Sequence, residues 1–257
     1  MKYIHSIKRI FISGTLFIAL WQIICWTTDF NPSLLPGPVR VWYALIQMFG
    51  EGNILNDIQD SMYRFAIGYL LAALSAIILG LTLGWFKEIF AYINPIVQLL
   101  RPISPIAWMP FIVLLFGIGD VPAIVIIFIS AFFPILLSTI SAVGNVDKMY
   151  LKVADNFDIK QPYVLTKIIF PATFPQIANG LHIALGSSWI FLVAGEMVGS
   201  QTGLGYLIID ARNNLRTDIL LATIIIIGVI GLFLDTLISQ FEKQIYTRWG
   251  YEREGKK

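Results

Sequence analysis

The sequence VDKMYLKVADNFDIKQPYVLTKIIFP, residues Val146–Pro171, is the longest polar interruption between apolar runs in the second half of the chain. It contains Lys148, Lys152, Lys160 and Lys167. Basic residues between two membrane spans are typical of a loop on the cytoplasmic side. We therefore expect this segment to be a cytoplasmic loop that joins two transmembrane helices.

A short helix is predicted inside this loop, from Met149 to Asn156. Four apolar residues recur there at helical spacing, namely Tyr150, Val153, Ala154 and Phe157. The helix is too short to cross a bilayer, which takes about 20 apolar residues. We therefore expect it to present an apolar edge to a protein outside the membrane.

The composition is that of an integral membrane protein. The 257 residues are 57% hydrophobic and 13% charged, and the mean hydropathy is +0.75. A net charge of +2 gives no electrostatic support for a nucleic-acid partner. The single cysteine, Cys25, lies in an apolar run, so neither an internal disulfide nor a cysteine-based metal site is expected.

Six apolar runs predict an all-α, polytopic membrane helix bundle with six transmembrane helices. The runs are Ile10–Trp26, Ser61–Phe86, Ala91–Gly119, Ala123–Val143, Phe174–Met197 and Ile219–Ser239. Both termini are expected in the cytoplasm, with the docking helix between spans four and five. The basic residues outside or at the outer boundary are then few, namely Arg40, Arg64, Arg212 and Arg216, as the positive-inside rule requires.

Two external segments are predicted between these spans. The first, Thr27–Asp60, is polar and rich in proline, with an amphipathic helix at Val39–Met48 lying on the membrane surface. The second, Gly199–Asp218, has Gly203 and Gly205 placed to make a tight turn.

The third span is interrupted by four prolines, Pro95, Pro102, Pro105 and Pro110. Proline removes a backbone donor, which membrane depth tolerates only where protein or water satisfies the freed carbonyls. We expect this span to line a cavity, in which Arg101, Ser104 and Trp108 could meet a polar solute. Arg101 could equally anchor the span at the cytoplasmic interface.

The fifth span carries polar residues at membrane depth, among them Ser187, Ser188 and Glu196. Glu196 is expected near the outer end, where water can reach it, with either a structural hydrogen-bonding role or a role in solute passage. His182 lies in the same span without a nearby Cys, Asp or second His in the sequence. No metal site is expected there.

The polar loop resembles the cytoplasmic loop of permease subunits in type I ABC importers, which reads Glu-Ala-Ala, three residues, Gly, nine residues, Ile-x-Leu-Pro. That pattern falls here on Lys152, Val153, Ala154, Asp158, Ile168, Phe170 and Pro171. The matching residues are Ala154, Ile168 and Pro171. The others depart from the pattern, above all Lys152 in place of Glu and Asp158 in place of Gly.

The continuation FPQIANGLHIALGSSWIFLVAGEMVGSQTGLGYLI, residues Phe174–Ile208, is similar to the nitrate, sulfonate and taurine branch of that family. The residues that carry this resemblance are Pro175, Ile177, Gly180, Leu181, Glu196, Met197, Gly203, Leu204, Gly205 and Tyr206. Further similarity runs from Ser61 to Trp249.

The resemblance implies a permease subunit of an ATP-driven importer in the inner (cytoplasmic) membrane, without a cofactor, moving a sulfonate, taurine, nitrate or similar small anion. Its implied partners are a second permease copy, two ATP-binding subunits, an extracytoplasmic binding protein and the bilayer. The residues implied in ATPase coupling are Tyr150, Lys152, Val153, Ala154, Phe157, Asp158 and Pro171, with Asp158 and Lys160 at the rim. The implied organisation is an N-terminal helix and external loop (1–56), an ABC type-1 transmembrane domain (57–241) and a cytoplasmic tail (242–257).

Other functions remain open on the residues alone. The chain has no G-x-x-x-x-G-K-[ST] motif, so an ATPase would have to be a separate subunit. A secondary transporter or channel would use the same broken and polar spans. A membrane-embedded enzyme would need clustered His, Asp or Glu, which the scattered His182, Glu196 and Asp235 do not provide. Within the family, uptake of a vitamin precursor is a further alternative.

Overall fold

The computed structural model describes residues 2–27, 34–159 and 163–248, and its regular elements are helices. In chain order they are α1 (Lys2–Thr27), α2 (Pro38–Glu51), α3 (Asn53–Trp85), α4 (Lys87–Leu100), a 3-10 helix (Pro105–Trp108), α5 (Met109–Phe116), α6 (Asp120–Gly144), α7 (Lys148–Asn156), a π-helix (Val164–Ile169), α8 (Phe170–Gly199), α9 (Leu204–Asn213) and α10 (Thr217–Arg248). The all-α prediction is confirmed for these residues. Lys160 and residues 249–257 of the predicted tail lie outside the described ranges.

Four helical segments are long and apolar enough to cross a membrane: Ile54–Trp85, Asp120–Gly144, Val164–Gly199 and Thr217–Thr247. A fifth candidate is the pair Lys87–Leu100 and Pro105–Phe116, which is bent by 82° at the break between them. Ile12–Thr27 is apolar but shorter. The chain is therefore a polytopic membrane bundle, and the count of six spans stays a prediction.

The core of the bundle is formed by α3, α6 and α8, with α6 between the other two. One face of α3 carries a small residue at every fourth position, namely Gly68, Ala72, Ala76, Gly80 and Gly84. A methyl group added at Gly80 would lie 2.6 Å from Thr139 Cβ, and one at Gly84 would lie 2.7 Å from Val143 Cβ. The absence of side chains there lets the α3 and α6 backbones approach closely, as expected for helices packed in a membrane.

The predicted break in the third span is confirmed. Chain residues 101–104 separate α4 from the 3-10 helix, so the predicted span Ala91–Gly119 is two short helices rather than one. Pro105 begins the 3-10 helix and Pro110 lies in the first turn of α5, where no backbone donor is needed.

The ends of the other elements differ from the prediction in two places. Helix α3 begins at Asn53, so the end of the predicted external loop Thr27–Asp60 is helical. Helix α9 lies within the predicted external segment Gly199–Asp218 and was missed, because glycines and polar residues at its ends outweigh its short apolar stretch. The predicted helices at Val39–Met48 and Met149–Asn156 are confirmed as α2 and α7.

Candidate functional site

Helix α7 is fixed at the end of α6 by a capping residue. The backbone N–H of Met149 donates to Asp147 Oδ1 at 2.9 Å, and that of Tyr150 donates to Asp147 O at 3.1 Å. An aspartate at this position satisfies donors that the first helical turn leaves free. The direction of α7 is therefore set by the three residues that separate it from α6.

Ala154 faces the bundle rather than solvent. Its side chain is 1% exposed and belongs to an apolar cluster with Val143, Val164 and Ile169. The interpretation of Ala154 as an exposed contact to another protein is therefore wrong, because its methyl group is already covered by α6 and the π-helix. Its match to the family pattern reflects the space available, since a larger residue would push α7 away from the bundle.

Large apolar side chains are exposed around Ala154, on α7 and just after its end, and we call them the α7 patch: Met149, Tyr150 and Phe157. All three are more than half exposed, Phe157 by 75%. Lys152 is exposed beside them. Pro171 lies in the first turn of α8, a position that proline favours. Val153 lies within α7, and its role stays a prediction.

Asp158 ends α7 in a left-handed conformation, with φ of 48°. The N–H of Ile159 donates to Ala154 O at 3.0 Å, which is the hydrogen bond of a Schellman motif. Glycine is the usual residue at this position, and aspartate is one of the few others that tolerate it. Asp158 stands where the family pattern has glycine, and it still makes the left-handed backbone turn that glycine favours.

A cavity of about 570 Å³ lies beside the break between α4 and α5. Its polar lining comes from Arg101, Ser130, Ser138, Ser141, Gln176 and Ser187. Among the described residues, Arg101 has no ion-pair partner within 4 Å, and it lines this cavity. The cavity therefore combines hydroxyl and amide groups with a single cation.

The six residues predicted for a solute path do not all meet in this cavity. Arg101 and Ser187 line it. Ser104 is exposed in the break, and Trp108 packs against the apolar cluster of Met109. Ser188 is buried and donates to Ala184 O at 2.7 Å.

Glu196, the sixth, lies in a buried ionic cluster instead. Its carboxylate is fully buried, so the expectation that water reaches it is wrong. It accepts hydrogen bonds from Arg64 Nη1 at 2.7 Å, from Ser61 Oγ at 2.8 Å and from the N–H of Gly205 at 2.9 Å. Three donors from α3 and α9 thus converge on one acid of α8.

Arg64 extends this cluster to two further elements. Its Nε donates to Asp120 Oδ1 at 2.7 Å, at the start of α6, and its Nη1 donates to Thr202 O at 2.7 Å. Gly203 has φ of 99°, and its N–H donates to Asp57 Oδ1 at 2.9 Å. The sequence places Arg64 four residues before Gly68, on the small-residue face of α3. That spacing indicates that Arg64 is buried. The sequence analysis placed Arg64 at the outer boundary of the membrane and so did not predict its burial.

His182 meets two acids that are distant in the sequence. Its Nε2 lies 2.7 Å from Asp235 Oδ1 and its Nδ1 lies 3.3 Å from Glu242 Oε1. His182 has no aspartate near it in the sequence, but the fold brings Asp235 and Glu242 of α10 next to its imidazole ring. In the described part of the chain, no group of three or more His, Cys, Asp or Glu is arranged to hold a metal ion.

Comparison with known proteins assigns the chain to a family. Residues 76–246 match the family model described as the binding-protein-dependent transport system inner membrane component. The chain belongs to this family of transport permeases. The taurine transport system permease protein TauC of Escherichia coli is 30% identical over 243 residues, covering 92% of this chain and 88% of TauC.

Two further relatives and one solved structure agree with this assignment. The permease protein SsuC of Bacillus subtilis is 33% identical over 93% of this chain and 86% of its own length. The nitrate import permease protein NrtB of Leptolyngbya laminosa is 34% identical over 86% of this chain and 81% of its own. The MetNI methionine ABC transporter has the same fold, with a TM-score of 0.65 at 13% identity over 76% of this chain and 97% of that chain.

Membership fixes the general function of this permease. It is the multi-pass, non-catalytic inner membrane component of a binding-protein-dependent ABC importer, in the sulfonate, nitrate and taurine family. Such a permease works with an extracytoplasmic binding protein and a separate ATPase. The alternatives of an ATPase-independent transporter, a channel or a membrane enzyme are thereby set aside.

Proposed function

We propose that this permease carries a small oxyanion. We also propose that the motion of the ATPase is transmitted to the permease through the α7 patch. The relatives are named for aliphatic sulfonates, nitrate and taurine, each of which carries a nitrate or sulfonate group. Arg101, which lines the cavity and has no ion-pair partner among the described residues, supports an anion, because a guanidinium donates charge-assisted hydrogen bonds to oxyanions. A vitamin precursor remains the alternative substrate class.

The topology proposed has six spans and both termini in the cytoplasm. The four long apolar helices and the bent pair give five spans, and α1 would be the sixth. In this arrangement residues 1–56 precede the transmembrane domain 57–241 and residues 242–257 form the tail. The α7 patch then faces the cytoplasm, and α9 faces the other side.

The assembly proposed contains two permease copies, two ATPase subunits and one binding protein. One face of α8 supports the pairing of two copies. Exposed residues recur along it at spacings of three and four, namely Gln176, Asn179, Ile183, Gly186 and Ile190, with Met197 seven residues further on. This is the spacing of a helix–helix seam, and Ile183 also lines the Arg101 cavity.

The observation that carries this proposal is the α7 patch, an exposed apolar surface in an otherwise polar loop. Replacing Phe157 by Ser should reduce ATP-dependent uptake at least tenfold and lower co-purification of the ATPase, because a buried aromatic contact is worth about 3–5 kcal/mol. The matched control is Tyr92→Ser, which removes another exposed aromatic, 86% exposed and outside the patch. Full uptake by Phe157→Ser would refute the proposed docking surface.

The anion proposal has its own experiment. Replacing Arg101 by Gln should lower the uptake of taurine, nitrate or an alkanesulfonate, whichever the wild type transports, while Arg101→Lys retains part of it because the positive charge remains. ATPase co-purification serves as the control, since Arg101 is not part of the α7 patch. Uptake that is unchanged in Arg101→Gln would mean that this guanidinium does not meet the solute.

A further inference from the structure

A second groove lies on the face of α8 that points away from the Arg101 cavity. Its volume is about 580 Å³, and it is walled by α3 and α10 with α8 as its floor. On α8, Leu181 and Leu185 line the groove, whereas Ile183 and Ser187 line the cavity. Residues two apart on a helix point about 200° apart. The groove is therefore separate from the proposed solute path.

The groove is apolar along its length and has one acid at its edge. Its lining is aliphatic and aromatic apart from Tyr69 and Glu242. The hydroxyl group of Tyr69 already has a hydrogen-bond partner, since it donates to Leu181 O at 2.8 Å. Glu242 Oε1 is buried, and the nearest described cationic group is His182 Nδ1 at 3.3 Å.

The polar groups at this edge carry an excess of negative charge. Asp235 contacts His182 on its other side, and the Asp235 side chain is about half exposed on the outside of the bundle. One imidazole, even when protonated, balances only one of the two carboxylates. Ionisable groups that face lipid are costly, so they are normally paired or serve a function. The described residues thus leave the partly exposed Glu242 carboxylate without a full positive counter-charge.

The depth of Glu242 in the membrane matches that of a lipid headgroup. It lies 25 residues after Thr217, which begins α10 at the end of the bundle where α9 lies. At 1.5 Å per residue this is a rise of about 37 Å, beyond the hydrocarbon core of about 30 Å. Glu242 therefore reaches the headgroup level at the α7 end of the bundle, while the rest of the groove lies at the depth of acyl chains.

We propose that this groove holds a phospholipid with a primary-amine headgroup. Its acyl chain lies between α3 and α10, and its ammonium group pairs with the carboxylate of Glu242, whose side chain is 17% exposed. A choline headgroup has the charge but no N–H donor, and a glycerol headgroup leaves an anionic lipid facing two carboxylates. The site is therefore selective for phosphatidylethanolamine. This inference is independent of the transported solute and goes beyond the proposed function.

Native mass spectrometry of the detergent-extracted protein, with whatever subunits remain bound, tests this selectivity. The protein is exchanged into equal amounts of phosphatidylethanolamine, phosphatidylcholine and phosphatidylglycerol with identical acyl chains. Wild-type protein should retain phosphatidylethanolamine over each of the others by about tenfold, the effect of one charge-assisted hydrogen bond. Glu242→Gln should bring the ratio close to one, while Glu88→Gln, an exposed acid in the first turn of α4, should leave it unchanged.

A second variant tests the apolar part without touching the acids. Leu74 lines the groove and is 61% exposed, so Leu74→Trp should narrow the groove with little effect on folding. Retention of all three lipids should fall in this variant. The proposal is overturned if wild-type protein retains no lipid selectively, if Glu242→Gln keeps the wild-type ratio, or if a second copy of the chain covers the groove and excludes lipid.

Discussion

Replacing Glu196 by Gln tests the buried ionic cluster at the level of single atoms. Glu196 receives hydrogen bonds from Arg64, Ser61 and the N–H of Gly205, all of which are donors to it. A glutamine has one acceptor oxygen and one NH₂ group. If its oxygen faces Arg64 Nη1, the NH₂ group meets the Gly205 N–H. If the amide is flipped, the NH₂ group meets the guanidinium. Either way two donors oppose each other.

The expected loss of stability follows from this mismatch. Removing one partner of a buried ion pair destabilises proteins by about 3–5 kcal/mol, because the other charge stays buried without compensation. Asp120 still pairs with Arg64, but its side chain is half exposed and that pair is weaker. For a chain of this size the loss corresponds to a fall in Tm of about 6–20 °C.

The assay is thermal unfolding of the detergent-solubilised protein, followed by loss of the monodisperse peak in size-exclusion chromatography. Glu88→Gln is the matched control, since Glu88 is exposed and a surface substitution changes stability by about 0.5 kcal/mol or less. A Glu196→Gln protein that melts within about 2 °C of wild type would refute the view that the charge of Glu196 holds α3, α8 and α9 together.

Three other predictions follow from packing and backbone geometry. Ala154→Asp should abolish coupled uptake while membrane insertion persists, because an unpaired carboxylate in an apolar cluster detaches α7; uptake and membrane fractionation measure the two effects. Asp158→Gly should preserve uptake and raise stability by up to about 1 kcal/mol, seen as slower proteolysis of the loop, since glycine adopts positive φ without strain. Gly80→Leu should prevent accumulation of folded protein, because its Cβ would meet Thr139, whereas Gly14→Leu, with no atom within 4 Å, should accumulate normally in immunoblots.

Much of the architecture could be predicted because a membrane imposes a simple rule on sequence. Long apolar runs identified the major helices, and four prolines identified the broken one. The short helix α7 was predicted from its periodicity. Helix α9 was missed because glycine-rich ends usually mark loops, whereas Gly203 and Gly205 are needed here to bring backbone N–H groups close to Asp57 and Glu196.

The local roles of polar residues were harder to predict because they depend on contacts between distant parts of the chain. The burial of Glu196 depends on Arg64, which precedes it by 132 residues. The acids near His182 come from another helix, 53 residues away in the case of Asp235. Spacing along one helix shows which face a residue occupies, but it does not show which element covers that face. Ala154 was placed correctly in α7, but its cover by α6 and the π-helix was not predicted for this reason.

The row of small residues on α3 has a consequence for how the protein moves. With glycine at Gly80 and Gly84 there is no side chain that can change rotamer to let α3 and α6 turn against each other, so we expect the pair to move as one rigid body. Because α7 follows α6 after three residues, a displacement at that end would be transmitted along α3, over about 30 Å, to Arg64 and the residues it contacts. The flexible joint would then be the 82° break after α4, beside the cavity, where the wall could open without disturbing the closely packed pair.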